Sequence, residues 1–228
     1  VDGGLPFCVP KDGSYMKKTY THLVWDFNGT ILDDIQLGID CVNVMLKKRN
    51  LKTLDSVEEY RAIMRFPVID YYRDLGFDMK TEDYYDVLAP EWVALYLAGE
   101  KNCPMMPGVL TVLEAAKDAG IKQLVISATK TEQLMNQLGR LGLVSYFDEI
   151  LGLDNFYAAS KTELAAAWRR AHPEAVVLSV GDTDHDADLG DVLGAQCLLY
   201  TGGHQSEERL LTRGKPLIHH IEEIMAHF

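Results

Sequence analysis

Four short segments carry side chains able to handle a phosphoryl group. Asp26-Phe27-Asn28-Gly29-Thr30 sets a carboxylate directly after an apolar run. A carboxylate at the end of a strand can bind a metal or attack phosphorus; an Asp opening an Asn-Gly turn is the plainer alternative. Ser127-Ala128-Thr129 also follows an apolar run. Its hydroxyl and the N–H groups of an expected helix start would cradle phosphate or merely form an N-cap. Lys161 lies in the first turn of an expected helix, where the macrodipole disfavours a cation; it is a surface lysine unless anions gather nearby. Gly181-Asp182-Thr183-Asp184-His185-Asp186 crowds three carboxylates into one segment. They form either a solvated acidic turn or a site for a hard cation such as Mg²⁺, which prefers oxygen ligands. A calcium loop of the EF-hand type beginning at Asp182 is excluded, because its sixth and twelfth positions are Ala187 and Leu193 rather than Gly and Glu.

The elements that must position these residues can be read around them. His22–Phe27, Gln123–Ser127, Ala175–Val180 and Gln196–Tyr200 are short, nearly continuous apolar runs, the pattern of strands buried on both faces of a parallel sheet. Helical patterns alternate with the later runs: Gly108–Ala119 after Pro107 and ending at Gly120, Thr131–Leu141 ending near Gly142, and Ser160–Ala171. Ser160 and Glu163 have capping-box spacing. Alternating strand and helix implies an α/β fold with a doubly wound, mostly parallel sheet. Between the first strand and the rest, Ile35–Arg49, Val57–Met64, Val68–Leu75 and Thr81–Ala98 all read as helices with no strand among them. This divides the chain into an α/β core over 16–34 and 102–228 and an inserted helical cap over 35–101. Residues 1–15 read as a leader or disordered tail outside the fold.

Bulk properties narrow the class. With 228 residues and 47% hydrophobic content, the chain can bury one core and a small accessory domain. A net charge of −12 repels phosphate backbones and argues against a nucleic-acid partner. No apolar run is long enough to span a bilayer, so no membrane partner is expected. Cys8, Cys41, Cys103 and Cys197 are scattered, without zinc spacing, and read as reduced thiols of a cytoplasmic protein.

Taken in order, Asp26 after a first strand, Ser127 after a later one, Lys161 on a helix and Gly181-Asp182-x-x-x-Asp186 after another strand resemble the four motifs of the haloacid dehalogenase superfamily. The resemblance covers nearly all the chain after residue 20. The phosphoglycolate-phosphatase-like subgroup, with a helical cap between the first two motifs, is the most similar; Pro107-Gly108-Val109 resembles the segment that follows such a cap. The resemblance implies a Mg²⁺-dependent phosphatase acting on a small phosphorylated metabolite. Asp26 would attack phosphorus and carry an aspartyl-phosphate. Asp26, the backbone carbonyl of Asn28 and Asp182 would hold Mg²⁺, with Asp186 as ligand or orienter. Ser127 and Ala128 would bind phosphoryl oxygens, and Lys161 would neutralise the charge on Asp26 and on phosphate. The protein would be a monomer or homodimer.

Asn28 departs from the pattern. Phosphatases of the family place there a second Asp that protonates the leaving oxygen and then activates water. An amide cannot shuttle a proton, and general acid–base catalysis is typically worth ~10²–10⁴-fold. Asp33, Asp34, His185 or a cap residue would have to substitute, or the protein is a slow or inactive phosphate-ligand binder. An introduced Asp→Asn change, or deamidation of the labile Asn28-Gly29 pair, is a further explanation. A phosphonate hydrolase, which also lacks the second Asp and uses a cap lysine, is the other branch; Lys47, Lys48 and Lys52 stand in the cap. Arg61 and Arg65 lie one helical turn apart. Arg65 is either a contact for an anionic substrate or a surface arginine beside Pro67.

Overall fold

The computed structural model describes residues 20–153 and 160–228. The expected leader over 1–15 lies outside them.

Six parallel strands form one sheet: β1 (His22–Trp25), β2 (Lys122–Lys130), β3 (Glu149–Leu153), β4 (Val177–Gly181), β5 (Gln196–Tyr200) and β6 (Leu217–Ile218), in the order β3-β2-β1-β4-β5-β6. Both faces of β1 are covered, which explains its unbroken apolar run. Leu23 and Trp25 pack with Val125 and Val180 on one face, and Val24 packs with Leu124, Ile126 and Trp168 on the other. Alternate strand side chains point to opposite faces, so a doubly covered strand must be apolar at every position. Burying each such side chain is worth about 1.5–3 kcal/mol. The indole of Trp25 is paired in this core: Trp25 Nε1 donates to Gln123 Oε1 at 3.2 Å.

Helices α5 (Val109–Asp118), α6 (Thr131–Arg140), α7 (Lys161–Ala171), α8 (Asp184–Leu193) and α9 (Glu207–Leu211) connect the strands. Between β1 and α5 stand α1 (Ile35–Lys48), α2 (Val57–Ile63), α3 (Val68–Asp74) and α4 (Ala89–Gly99). These follow the expected helical insertion with one change. The span expected as a helix over Thr81–Ala98 is a turn, a π-helical segment at Tyr84–Leu88, and then α4. Asp83 caps the segment by accepting from the N–H groups of Tyr85 and Asp86. Pro90 has no N–H to close an ordinary helical bond there.

Several elements went unread because their signals are weak, among them β3, β6, α9 and the start of α8. β3 is EILGL, half-buried at the sheet edge and broken by Gly152. A Cβ there would come within 2.7 Å of the Thr129 carbonyl oxygen, so the glycine serves close packing against β2. The acidic segment expected as a loop is already helical from Asp184. Two acidic residues in the first turn, Asp184 and Asp186, suit the positive end of a helix.

Chain order reverses between β1 and β4. Strands β2 and β3 lie to one side of β1, and β4–β6 to the other. In open α/β sheets, the crevice at the carboxyl ends of the strands at such a reversal is the usual ligand site. Asp26 follows β1 and Asp182 follows β4 at that crevice.

Candidate active site

Register brings the two acidic ends level. Trp25 pairs with Val180, and the Asp26 N–H donates to the Val180 carbonyl at 2.9 Å. Asp26, Asp182 and Asp186 each offer a ligand oxygen, and the three oxygens lie within 4.8 Å of one another. Lys161 Nζ bridges this group, donating to Asp26 Oδ1 and, at 2.6 Å, to Asp186 Oδ1. The capping box sets that approach: the Glu163 N–H donates to Ser160 Oγ at 3.2 Å, and the Ser160 N–H donates to the Glu163 carboxylate. It starts α7 at Lys161 and places the ammonium against two carboxylates, which offset the unfavourable helix dipole.

Asp186 is held from within its own turn. Its Oδ2 accepts the N–H groups of Asp182 (3.1 Å) and Thr183 (2.9 Å) and the Thr183 hydroxyl (2.8 Å). With Oδ1 on Lys161, this carboxylate is an anchor. Asp182 accepts the Thr30 hydroxyl at 2.8 Å and the His204 N–H at 2.7 Å. Gly203 must be glycine for this, because a Cβ would come within 2.2 Å of the Asp182 side chain.

Charge explains the titration of the group. Burial pushes Asp26 well above the usual carboxylate range; the neighbouring charge of Asp186 adds to this and Lys161 opposes it. Burial likewise pushes Asp182 up, against the pull of His204. Four carboxylates, with Asp34 the fourth, face two cationic side chains, Lys161 and His204. With all four ionised, two negative charges would remain; a bound divalent cation would balance them and oppose the upward shifts of Asp26 and Asp182. An all-oxygen donor set of this kind fits Mg²⁺.

Sequence reading named Asn28 and Asp34 but missed His204, Tyr60 and Tyr96, which complete the second half of the site. Asn28 Nδ2 donates to Asp34 Oδ2 at 2.8 Å and to the Tyr96 hydroxyl at 2.9 Å, and Asn28 Oδ1 accepts the Thr129 hydroxyl at 3.0 Å. Asp34 pairs with His204 Nε2 at 3.1 Å, and His204 Nδ1 meets the Tyr60 hydroxyl at 2.8 Å. The one available signal was Gly202-Gly203-His204 directly after a strand. Tyr60 and Tyr96 had none, since buried tyrosines on helices read as packing.

Burial alone would push the His204 imidazole down; Asp34 and its hydrogen bond, with Asp182 behind, raise it to about 9. Asp34 is correspondingly held below the ordinary range: burial opposes this, and the His204 charge prevails. The pair therefore stabilises the fold fully between the ordinary carboxylate range and pH ~6.5, the unfolded imidazole value. That stabilisation is lost as pH rises from there through about 9. Urea unfolding at pH 6 and pH 9.5 should show a loss on the order of 3 kcal/mol in the wild type. His204→Gln should show a distinctly smaller one, and equal losses would contradict the pairing.

The helix start expected beside Ser127 is not found. Ser127 is buried, but β2 runs on to Lys130, so no helix begins beside it. Its Oγ accepts the Thr129 N–H at 3.0 Å in a local turn where pairing with β3 shifts register; Ala128 is exposed next to it. Arg65 is spent on Asp74 within the helical insertion, at 2.8 Å, and is not among the contacts of the acidic cluster. Arg61 turns to the core: its Nε donates to the Gly203 carbonyl at 2.7 Å and its guanidinium also reaches the Gly202 carbonyl. Of the cap lysines, Lys48 and Lys52 are exposed and pair with Glu91 and Glu59, which leaves neither poised as a buried Schiff-base amine. His185 stacks on Phe66, ring centroids 3.8 Å apart.

Cys41, Cys103 and Cys197 are buried free thiols, pushed up by burial to about 11, 11 and 12. Among the described residues no helix is long and apolar enough to cross a membrane.

Residues 23–200 match the family model described as haloacid dehalogenase-like hydrolase. A phosphoglycolate phosphatase of Aquifex aeolicus (strain VF5) is 29% identical over 197 residues, covering 80% of this chain and 85% of that protein. Among solved structures, a haloacid dehalogenase-like family hydrolase from Streptococcus pneumoniae matches with a TM-score of 0.76 at 20% identity, covering 92% of this chain and 98% of its own. Protein tyrosine kinase A of Mycobacterium tuberculosis matches with a TM-score of 0.74 at 17% identity, covering 92% and 98%. The two structures share the fold, and their differing names illustrate that a fold alone does not choose a reaction.

Proposed function

Because the chain belongs to the haloacid dehalogenase-like hydrolase family, we propose that it is a Mg²⁺-dependent phosphatase for a small phosphomonoester, with Asp26 as nucleophile. The observation that carries this reading is the Lys161 bridge between Asp26 and Asp186 beside Asp182. The similarity to a phosphoglycolate phosphatase adds to it. In this reading the core is 16–34 and 102–228 and the cap 35–101.

Oδ1 of Asp26 is engaged by Lys161, so attack falls to Oδ2. That oxygen bonds to phosphorus as the bond from phosphorus to the leaving oxygen breaks, and the leaving group takes the electron pair. Water then attacks the aspartyl-phosphate, releasing inorganic phosphate and regenerating Asp26. A carboxylate nucleophile thereby splits one difficult hydrolysis into two easier steps. Lys161 holds the nucleophile and neutralises phosphoryl charge, and Ser127 and Ala128 border the phosphoryl position. Asp26, the Asn28 carbonyl and Asp182 would hold Mg²⁺, with Asp186 orienting Lys161 and the Asp182 turn. The ion, when bound, supplies positive charge against the phosphoryl oxygens, the main demand of phosphoryl transfer.

Asn28 supplies no proton, so the leaving group must depart as a weak base. Phosphate release should require Mg²⁺ and disappear with EDTA. Activity on p-nitrophenyl phosphate or acetyl phosphate should exceed that on a simple alkyl phosphate by ~10²-fold or more. Equal rates on alkyl and aryl phosphates would show that another group protonates the leaving oxygen. Metal-independent hydrolysis would count against the whole reading. The saturated Asn28 amide also favours a second reading, a slow enzyme that retains its phosphate ligand; tight phosphate binding with negligible turnover on all three substrates would select it.

A further inference from the structure

Asp34 and His204 form a buried ion pair that no step above employs. Asp34 accepts four hydrogen bonds, from the Gly29 N–H (3.0 Å), Asn28 Nδ2 (2.8 Å), the Tyr96 hydroxyl (2.6 Å) and His204 Nε2 (3.1 Å). A carboxylate has about four lone-pair sites, so none is left for a substrate. His204 is equally committed: Nε2 to Asp34, Nδ1 to Tyr60, and its N–H to Asp182. The polar side chains beside the nucleophile hold one another.

The groups that close this network come from the helical insertion. Tyr96 is on α4 and Tyr60 on α2, both buried. Tyr96 stacks on Trp92 at 4.8 Å, and Tyr60 packs edge-on against Tyr71 at 6.1 Å. Packing inside the insertion therefore sets where each hydroxyl stands. We propose that Tyr60 and Tyr96 are positioning residues that couple the seating of the insertion to the geometry of the catalytic loop. Tyr96, with Asp34, fixes the Asn28 side chain. Tyr60, through His204, fixes the Asp182 carboxylate. Arg61 reinforces the same contact, because it grips the Gly202 and Gly203 carbonyls next to His204. When the insertion lifts, both phenols leave together: Asp34 loses one of its four donors and Asn28 one of its three side-chain partners.

The kinetic consequence rests on the phosphatase reading; the geometric one does not. The test uses Tyr96→Phe and Tyr60→Phe in the full chain, each removing one oxygen while keeping the ring. In metal-free protein, the side-chain amide ¹H–¹⁵N signal of Asn28, assigned by its loss in Asn28→Ser, should exchange slowly in the wild type. Tyr96→Phe should speed that exchange ~10-fold or more, with backbone amides of the sheet unchanged. In turnover, Tyr96→Phe should lower kcat ~10-fold with KM within about twofold, and Tyr60→Phe should raise the Mg²⁺ concentration for half-maximal activity several-fold. Unchanged Asn28 exchange in Tyr96→Phe overturns the proposal. So does faster exchange spread evenly over the core, which marks loss of packing alone. A wild type without Mg²⁺-dependent phosphate release strikes the phosphatase reading only, since the exchange measurement needs neither metal nor substrate.

Discussion

Asp26→Asn is expected to remove phosphate release, lowering kcat/KM by at least ~10³-fold, the scale on which loss of a nucleophile acts. The fold should survive. Asp26 sits among like charges: burial and then Asp186 push it up, with only Lys161 opposing. Lys161 keeps Asp186 at 2.6 Å when Asp26 is neutralised, so no buried cation is stranded. The sign for stability follows from the same shift. A carboxyl whose folded value lies above its unfolded value of about 3.9 opposes folding increasingly as pH rises from there through the raised value. Asp26 should therefore cost the metal-free wild type stability upward from about pH 4. Asp26→Asn, lacking that group, should melt at an equal or higher temperature near pH 7. Mg²⁺ should raise the wild-type Tm more than the variant's. Thermal melts with and without Mg²⁺, beside phosphate release, measure all three. A variant keeping more than about a tenth of wild-type turnover would remove Asp26 as the nucleophile.

Asn28→Asp, the change that looks like a simple restoration of the family's proton shuttle, is expected to fail by itself. Asn28 Nδ2 lies 2.8 Å from Asp34 Oδ2. A carboxylate in its place turns a hydrogen bond into a contact between two anions, which cannot both stay ionised at that range. The expected cost is ~1–3 kcal/mol, or a fall in Tm of roughly 3–8 °C for a chain of this size. Turnover of alkyl phosphates should stay near the wild-type level, because a proton shared with Asp34 is withheld from the leaving group. Asn28→Asp combined with Asp34→Asn exchanges amide and carboxylate and keeps a donor facing an acceptor. The pair should raise alkyl-phosphate turnover ~10²-fold, while its Tm stays below the wild type's because Asp34→Asn also removes the ion pair with His204. If the single variant gains that turnover without losing Tm, Asp34 does not govern residue 28. The identity of residue 28 is then a matter of the amide itself, and intact mass distinguishes deamidation.

The two results differ in how far the residues could be read in advance. Asp26, Lys161, Asp182 and Asp186 are visible because each begins or follows a regular element whose signal is local. Apolar runs end at Trp25 and Val180, and a capping box opens at Ser160. Ser127 was read as a strand end when it is a kink, because whether β2 stops there depends on pairing with β3, an edge strand with little apolar pattern. Arg65 was weighed as a substrate contact because spacing alone does not reveal that Asp74, nine residues on, folds back to meet it.

What the sequence by itself determined is the α/β alternation, the helical insertion, and the order in which the four chemical segments arrive at the carboxyl edge of the sheet. Those follow from periodicity and capping, which act over a few residues. Only the tertiary structure decided what stands around Asn28. Asp34, Tyr96, Thr129 and His204 are separated from it by 6, 68, 101 and 176 positions; three of them bond to its side chain, and His204 reaches it through Asp34. A buried amide or carboxylate must find its partners wherever packing brings them. For that reason Asp26 could be proposed as the nucleophile from the order of the motifs, and the partners of the residue two positions away could not be foreseen.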